Sequence, residues 1–202
     1  MKIICIGRNY KDHIDELDNE MPREPVVFLK PGSAVLPAKH PFYLPAFSRE
    51  IHFETEIIVK INRSGKYISP RFAHKYFDEI GLGIDFTARD LQNELKEKGL
   101  PWEKAKAFDG SAIIGKFVPK DLFDIRNLNF HLNINGRTVQ RGNTSLMLWD
   151  VGDIISYVSR FFTLKLGDII FTGTPAGTGK VNPGDTLEGY IENKLFLKVN
   201  VK

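Results

Sequence analysis

Glu54 and Glu56 stand two apart in the run from His52 to Asn62, where Phe53, Thr55, Ile57, Val59 and Ile61 alternate with His52, Glu54, Glu56, Ile58 and Lys60. That alternation predicts a strand and puts both carboxylates on one face, with Cα atoms roughly 6.5–7 Å apart. The same face turns apolar at Ile58, so the pair is expected near a strand end, beside a core. Two carboxylates aimed at one spot repel unless a proton or a cation lies between them. Oxygen donors of this kind select hard ions such as Mg²⁺, Ca²⁺ or Mn²⁺. Spacing alone favours a plainer reading, a solvated polar face completed by His52 and Lys60.

Asp85 follows Gly81-Leu82-Gly83-Ile84 and precedes a helical segment. Ligand groups gather where a strand gives way to a helix. The plainer role is a helix cap, for which Thr87, with Asp90 three residues on, is better placed. His13 and Glu16 form an i, i+3 pair that can meet on one helix face. A carboxylate that holds an imidazole sets its tautomer and raises its basicity, as a water-activating base requires. Here spacing favours an exposed pair among Lys11, Asp12, Asp15 and Asp18. Lys106, between Ala105 and Ala107, can be enclosed and would then need an anion. The commoner case is a surface lysine with a covered stem.

The run Thr172 to Lys180 (TGTPAGTGK) resembles a phosphate loop but has Thr174 at a glycine position and Val181 at the Ser/Thr position. A turn follows it rather than a helix. Its amides and hydroxyls can still hold a small carboxylate. A non-catalytic small-ligand or nucleotide-binding module built on this loop is the reading from another functional class. Cys5, in an apolar run, reads as inert core.

The elements that must position these residues are mostly strands. Strands are predicted over Lys2 to Gly7, Val26 to Lys30, His52 to Asn62, Ile80 to Ile84, Ser111 to Val118, Asp168 to Thr172 and Leu195 to Val201. Leu128 to Asn133 and Thr138 to Arg141 flank Asn135-Gly136, a hairpin signal. Helical character appears over Asn9 to Asn19, Arg71 to Phe77, Thr87 to Lys98 and from the cap Asp150 through Phe162. This predicts a β-rich α+β domain spanning 1–202, with strands folding back on one another rather than a βαβ array.

The chain has 202 residues, and its 28 Lys+Arg against 25 Asp+Glu leave a net charge of +3. A chain of this size buries roughly 70% of its unfolded surface, so it needs no staples. The basic residues are interleaved with acids, which argues against a nucleic-acid partner. One cysteine excludes internal disulfides and cysteine-rich zinc sites and fits a reducing compartment. The apolar run Ile3 to Ile6 is too short for a signal core or a membrane span, and no later window is long enough. The expectation is a cytoplasmic protein without membrane attachment.

The order of these signals carries more than any one of them. Gly7-Arg8-Asn9-Tyr10 with His13 and Glu16 is followed by Pro25 to Pro31 (PVVFLKP), Glu54-Thr55-Glu56, and Asp85 to Gln92 (DFTARDLQ). Gly99-Leu100-Pro101-Trp102 with Lys106, then Asn135-Gly136 and Thr172-Gly173-Thr174-Pro175, complete the series. The chain resembles the fumarylacetoacetate hydrolase family from about residue 3 to its C-terminus. It is most similar to the short acylpyruvate hydrolase branch, whose mammalian member also decarboxylates oxaloacetate.

The resemblance implies a mixed, rolled β-sheet with few helices, and a homodimer. It implies Glu54, Glu56 and Asp85 as ligands of Mg²⁺, with Mn²⁺ or Ca²⁺ as alternatives. His13 and Glu16 would be the water-activating dyad, on a segment that acts as a lid in relatives. Lys106 would be the active-site lysine, with Arg8, Arg89, Gln92 and Thr174 touching substrate. Three carboxylates, one divalent ion and Lys106 would sum to about neutral. The implied substrate is a short 2-oxo acid, cleaved at C3 to leave pyruvate enolate, by hydrolysis of an acylpyruvate or decarboxylation of oxaloacetate. A sister activity is isomerisation or decarboxylation of 2-hydroxyhepta-2,4-diene-1,7-dioate. Three departures from the family pattern are the lack of an extra N-terminal domain, a short stretch between Ile61 and Arg71, and Ala107-Phe108-Asp109 where a serine is expected after the lysine. They bear on the distal pocket and leave the ligand positions untouched.

Overall fold

The computed structural model describes residues 1–202. Thirteen strands run β1 Ile3–Gly7, β2 Val26–Lys30, β3 Ile51–Phe53, β4 Thr55–Ile61, β5 Phe77–Asp85, β6 Thr87–Ala88, β7 Ala112–Pro119, β8 Asn129–Ile134, β9 Arg137–Asn143, β10 Ile169–Phe171, β11 Gly179–Lys180, β12 Thr186–Ile191 and β13 Lys194–Asn200. The five α-helices are short: α1 Lys11–Glu16, α2 Pro70–Ala73, α3 Arg89–Glu97, α4 Glu103–Lys106 and α5 Val151–Val158. The class is α+β and strand-rich, as expected. No helix is long and apolar enough to cross a membrane.

A six-stranded sheet, ordered β2-β1-β10-β4-β5-β7, forms the centre. It is mixed: β1 and β10 are parallel, and every other neighbour is antiparallel. A four-stranded sheet, β13-β12-β8-β9, packs against one of its faces. A three-stranded ribbon, β11-β3-β6, carries the chain between them.

Alternation along the central strands divides the core in two. Ile4, Ile6, Ile57, Val59, Ile80, Leu82 and Ile84 belong to a large cluster with Leu132, Leu187 and Phe196 of the four-stranded sheet. Ile3, Cys5, Ile58, Ala112, Ile169 and Phe171 form a small cluster on the opposite face. Central strands covered on both faces are continuous apolar runs, as in Ile3-Ile4-Cys5-Ile6 and Ile169-Ile170-Phe171. Each fully buried Ile contributes about 1.5–3 kcal/mol, so the middle of this sheet is a stiff platform.

Several boundaries differ from the sequence expectation. The strand from His52 to Asn62 is broken at Glu54 into β3 and β4. Its polar face is not solvated: Glu54 and Glu56 are buried, and Lys60 reaches out to Glu79 at 2.7 Å. α3 starts at Arg89, and Thr87 does not cap it. Thr87 is used instead in β6, opposite His52, and its hydroxyl accepts from Lys106. Asp90 turns away to Ser48 Oγ and the Arg49 amide. Asp150 does cap α5, reciprocally with Asp153, but the helix stops at Val158 rather than Phe162. The helices expected over Asn9 to Asn19 and Arg71 to Phe77 shrink to α1 and α2. The sequence reading missed β12, which carries glycine at an inward position; a Cβ on Gly189 would lie 2.6 Å from Leu82 Cδ2.

Candidate active site

The acidic residues lie at one end of the small apolar cluster. Glu56 is on β4 opposite Gly83, and Asp85 is the last residue of β5. The Asp85 amide donates to the Glu54 carbonyl at 2.8 Å, tying the two stretches together. Period-two alternation turns Glu54, Glu56 and Asp85 to the Ile58 side of the sheet. All three are buried, and each offers a carboxylate oxygen within 4.8 Å of the others.

Three cations surround this trio. Lys106, the last residue of α4, donates to Glu54 Oε2 at 2.6 Å, Asp85 Oδ2 at 3.0 Å and Thr87 Oγ1 at 2.7 Å. Arg89, which opens α3, donates to Glu54 Oε1 at 2.5 Å. Lys30, which ends β2, lies 2.7 Å from Asp85 Oδ1. It also donates to the Lys106 carbonyl and to Ser111 Oγ, so it locks the turn that carries Lys106. Lys106 is enclosed, and the surface reading of it is set aside. The charge sum that counted Lys106 alone is also corrected, because Arg89 and Lys30 both touch the carboxylates.

Burial works to raise the Glu54 pKa, but Lys106 and Arg89 outweigh it and hold this carboxyl well below the usual range. Glu56 goes the other way. Burial, then Asp85 and Glu54, push its pKa well up, and the Gly173 amide at 2.6 Å only partly opposes them. No cation pairs with Glu56. Asp85 Oδ1 has no hydrogen-bond partner and is met only by the Lys30 ammonium, 2.7 Å away. A buried all-oxygen donor set with one uncompensated carboxylate, Glu56, fits a hard divalent cation.

His13 lies across the same cavity. Its Nδ1 is 3.0 Å from Glu16 Oε2, and the other Glu16 oxygen accepts from the Gly177 amide at 3.0 Å. The exposed-pair reading fails for the imidazole, which is buried. Burial lowers its pKa, against the opposing pull of Glu54 and Glu16. The run Thr172 to Lys180 therefore does hold carboxylates, but they are the protein's own: Gly173 serves Glu56 and Gly177 serves Glu16. Those two amides are not free to cradle a phosphate, which removes the main support for a nucleotide-binding module.

Every predicted site residue except Glu16 lines one small cavity of about 40 Å³, partly open to solvent. Thr174 is tied to the Thr55 carbonyl and to Gln140. Gln92 accepts from Arg89 at 2.6 Å. Arg8, at the mouth, touches no carboxylate and donates to Asn19 Oδ1 at 3.1 Å. Cys5 is buried, and burial pushes its thiol pKa up, as suits inert core.

The family profile described as "Fumarylacetoacetate (FAA) hydrolase C-terminal" matches residues 2–202. The chain belongs to the fumarylacetoacetate hydrolase family. The bovine (Bos taurus) mitochondrial oxaloacetate tautomerase FAHD1 is 43% identical over 201 residues, covering 99% of this chain and 91% of that protein. The oxaloacetate tautomerase YcgM of Escherichia coli K12 is 39% identical over 188 residues, covering 92% of this chain and 86% of that protein. The crystal structure of fumarylpyruvate hydrolase from Pseudomonas aeruginosa in complex with Mn²⁺ and pyruvate superposes with a TM-score of 0.93 at 36% identity, covering 100% of this chain and 89% of that one.

The likeness to the fumarylacetoacetate hydrolase family did not point to Lys30, Lys96 or Gln140. Gln140 accepts from the Thr55 amide and donates to Thr174 and the Pro175 carbonyl, so it pins the loop to β4. It carries no recognisable signal. Lys30 reads as the polar end of an apolar strand. Lys96 does have one: Arg89, Gln92 and Lys96 are spaced i, i+3 and i+7, which places them on one helix face.

Proposed function

We propose that this chain is a divalent-metal-dependent enzyme acting at C3 of short 2-oxo acids, with oxaloacetate and acylpyruvates as substrates. The observation that carries this reading is the placement of a buried carboxylate trio and the buried His13 imidazole, held from outside by Glu16, around one small cavity. The names of the relatives, oxaloacetate tautomerase and fumarylpyruvate hydrolase, support it.

Glu54, Glu56 and Asp85 would hold the cation. Mg²⁺, with Mn²⁺ as the alternative, supplies Lewis-acid polarisation of the 2-oxo group and offsets the negative charge of an enolate. Lys106 adds a fixed positive charge beside the same carboxylates, and Arg89 and Gln92 would orient the substrate from α3. His13, neutral near pH 7 because burial lowers its pKa, serves as the base, and Glu16 sets its tautomer. With oxaloacetate, a proton removed from C3 and returned at the C2 oxygen interconverts keto and enol forms. If CO₂ departs from C4 instead, pyruvate enolate remains. With an acylpyruvate, His13 takes a proton from water as it attacks the distal carbonyl. The C–C bond then breaks to give a carboxylic acid and pyruvate enolate, which takes up a proton.

The test is a panel assay of purified protein with oxaloacetate, acetylpyruvate and 2-hydroxyhepta-2,4-diene-1,7-dioate, stripped with EDTA and then reloaded with Mg²⁺. The expected result is turnover of the first two that vanishes with EDTA and returns with Mg²⁺. Activity that survives chelation, or turnover of the dienedioate alone, would overturn the proposal.

A further inference from the structure

Two cations at the cavity mouth have no anionic partner. Arg8 Nη2 donates to Asn19 Oδ1 at 3.1 Å, and Lys96 Nζ donates to the same oxygen at 3.3 Å. One neutral amide oxygen thus serves two positive side chains, and neither forms an ion pair with the protein. Like charges drawn this close to a shared weak acceptor form a site that an anion would satisfy.

Three further features mark this as a built site. Arg8 is held with a φ of 57°, a conformation few non-glycine residues adopt, and this is the backbone that puts its side chain at the mouth. The Lys96 ammonium lies 5.7 Å from the Trp102 ring centroid, which fixes its stem without neutralising it. Arg89, two turns from Lys96 on the same face of α3, is 6% exposed, and its Nε has no hydrogen-bond partner. Arg89 and Lys96 line both the main cavity and the neighbouring cleft beside His52 and Thr178. Burial first, and then Arg89 and Arg8, push the Lys96 pKa down to about 8.

Deeper in the cavity, Lys30, Lys106 and Arg89 are each paired with Glu54 or Asp85. Arg8 and Lys96, at the outer end of the same cavity, are the lining cations without a carboxylate partner. We propose that Lys96 and Arg8 bind a second carboxylate of the substrate and so select 2-oxo dicarboxylates over 2-oxo monocarboxylates. Asn19 holds the two side chains in place until that carboxylate arrives. The inference rests on the 2-oxo acid reading and adds the specificity determinant to it.

The experiment is calorimetric binding of a matched pair to the Mg²⁺-loaded protein. 2-Oxoglutarate and 2-oxopentanoate share chain length and the 2-oxo acid end, and differ by a carboxylate in place of a methyl group. Wild type should bind 2-oxoglutarate about tenfold or more tightly, the worth of a charge-assisted hydrogen bond. Lys96→Met, which keeps the stem over Trp102, should bring the two affinities together. Lys96→Glu should reverse the order, and Lys96→Arg should keep the wild-type preference. Equal binding of the pair by wild type, or a preference untouched in Lys96→Met and Lys96→Glu, would overturn this inference and leave the 2-oxo acid reading standing. No binding of either compound, with no turnover of oxaloacetate or acetylpyruvate, would overturn both.

Discussion

Lys30 Nζ sits 2.7 Å from Asp85 Oδ1, and neither side chain exposes any surface to water. Removing one partner of such a pair leaves a charge stranded in a low-dielectric interior, which costs about 3–5 kcal/mol. Lys30→Met should therefore lower unfolding stability by about that amount, measured by urea denaturation without metal. Lys106 should shift too, since Lys30 also holds its carbonyl. A loss under about 1 kcal/mol would mean that Lys106 alone balances Asp85.

Glu56 is the carboxylate without a cation. Glu56→Gln keeps shape and hydrogen-bonding capacity and removes the charge. Because disturbing even the groups behind a ligand costs about 10–100-fold in metal affinity, loss of a ligand charge should weaken Mg²⁺ binding by on the order of 100-fold or more. Calorimetric titration of Mg²⁺ reads this directly. Unchanged affinity would place the ion elsewhere.

His13 and Glu16 should separate the two chemistries. His13→Ala should slow acetylpyruvate hydrolysis by about 100-fold or more, the usual worth of a positioned base, and affect oxaloacetate decarboxylation less, since loss of CO₂ needs no activated water. Equal losses would give the dyad another task. The pH dependence follows from the lowered pKa. The neutral imidazole is the working form in this proposal, so the acid limb of hydrolysis should lie below the ordinary histidine pKa. Glu16 raises that pKa, so Glu16→Gln should move the acid limb to still lower pH. A limb moving upward would contradict the assignment.

Gly173 has a φ of +100°, and a Cβ there would lie 2.7 Å from Asn9 Cβ. Gly173→Ala should cost about 1–3 kcal/mol in stability, the usual range for a strained backbone position. It should also weaken Mg²⁺ binding, because the same residue's amide holds Glu56 Oε2. Thermal unfolding and calorimetry together check this. A stability loss with unchanged metal affinity would detach the loop from the metal site.

Much of this arrangement was legible in the sequence, for identifiable reasons. Period-two alternation located β4 and predicted that Glu54 and Glu56 would lie beside Ile58. The Asn135-Gly136 turn and the Asp150 cap are local signals, and both were met. Local signals failed where distant partners decide the outcome. Thr87 has the chemistry of a cap, but Lys106 and His52 claim it from elsewhere in the chain. By spacing, His13–Glu16 and Glu54–Glu56 were indistinguishable from solvated polar groups, and only their order along the chain set them apart. Lys30 acquires its meaning from residues 55 and 76 positions away, which no window of sequence contains.

The carboxylates stand on, or at the end of, the middle strands β4 and β5, while Arg8 and Lys96 project from a turn and from a surface helix. On the proposed assignments, reaction and selectivity would rest on parts of very different cost to alter. Exchanging a strand residue disturbs packing on both sides, whereas exchanging Lys96 disturbs one face of a short helix. With selection at the rim, as proposed, new substrates could be explored there while the centre stays as it is.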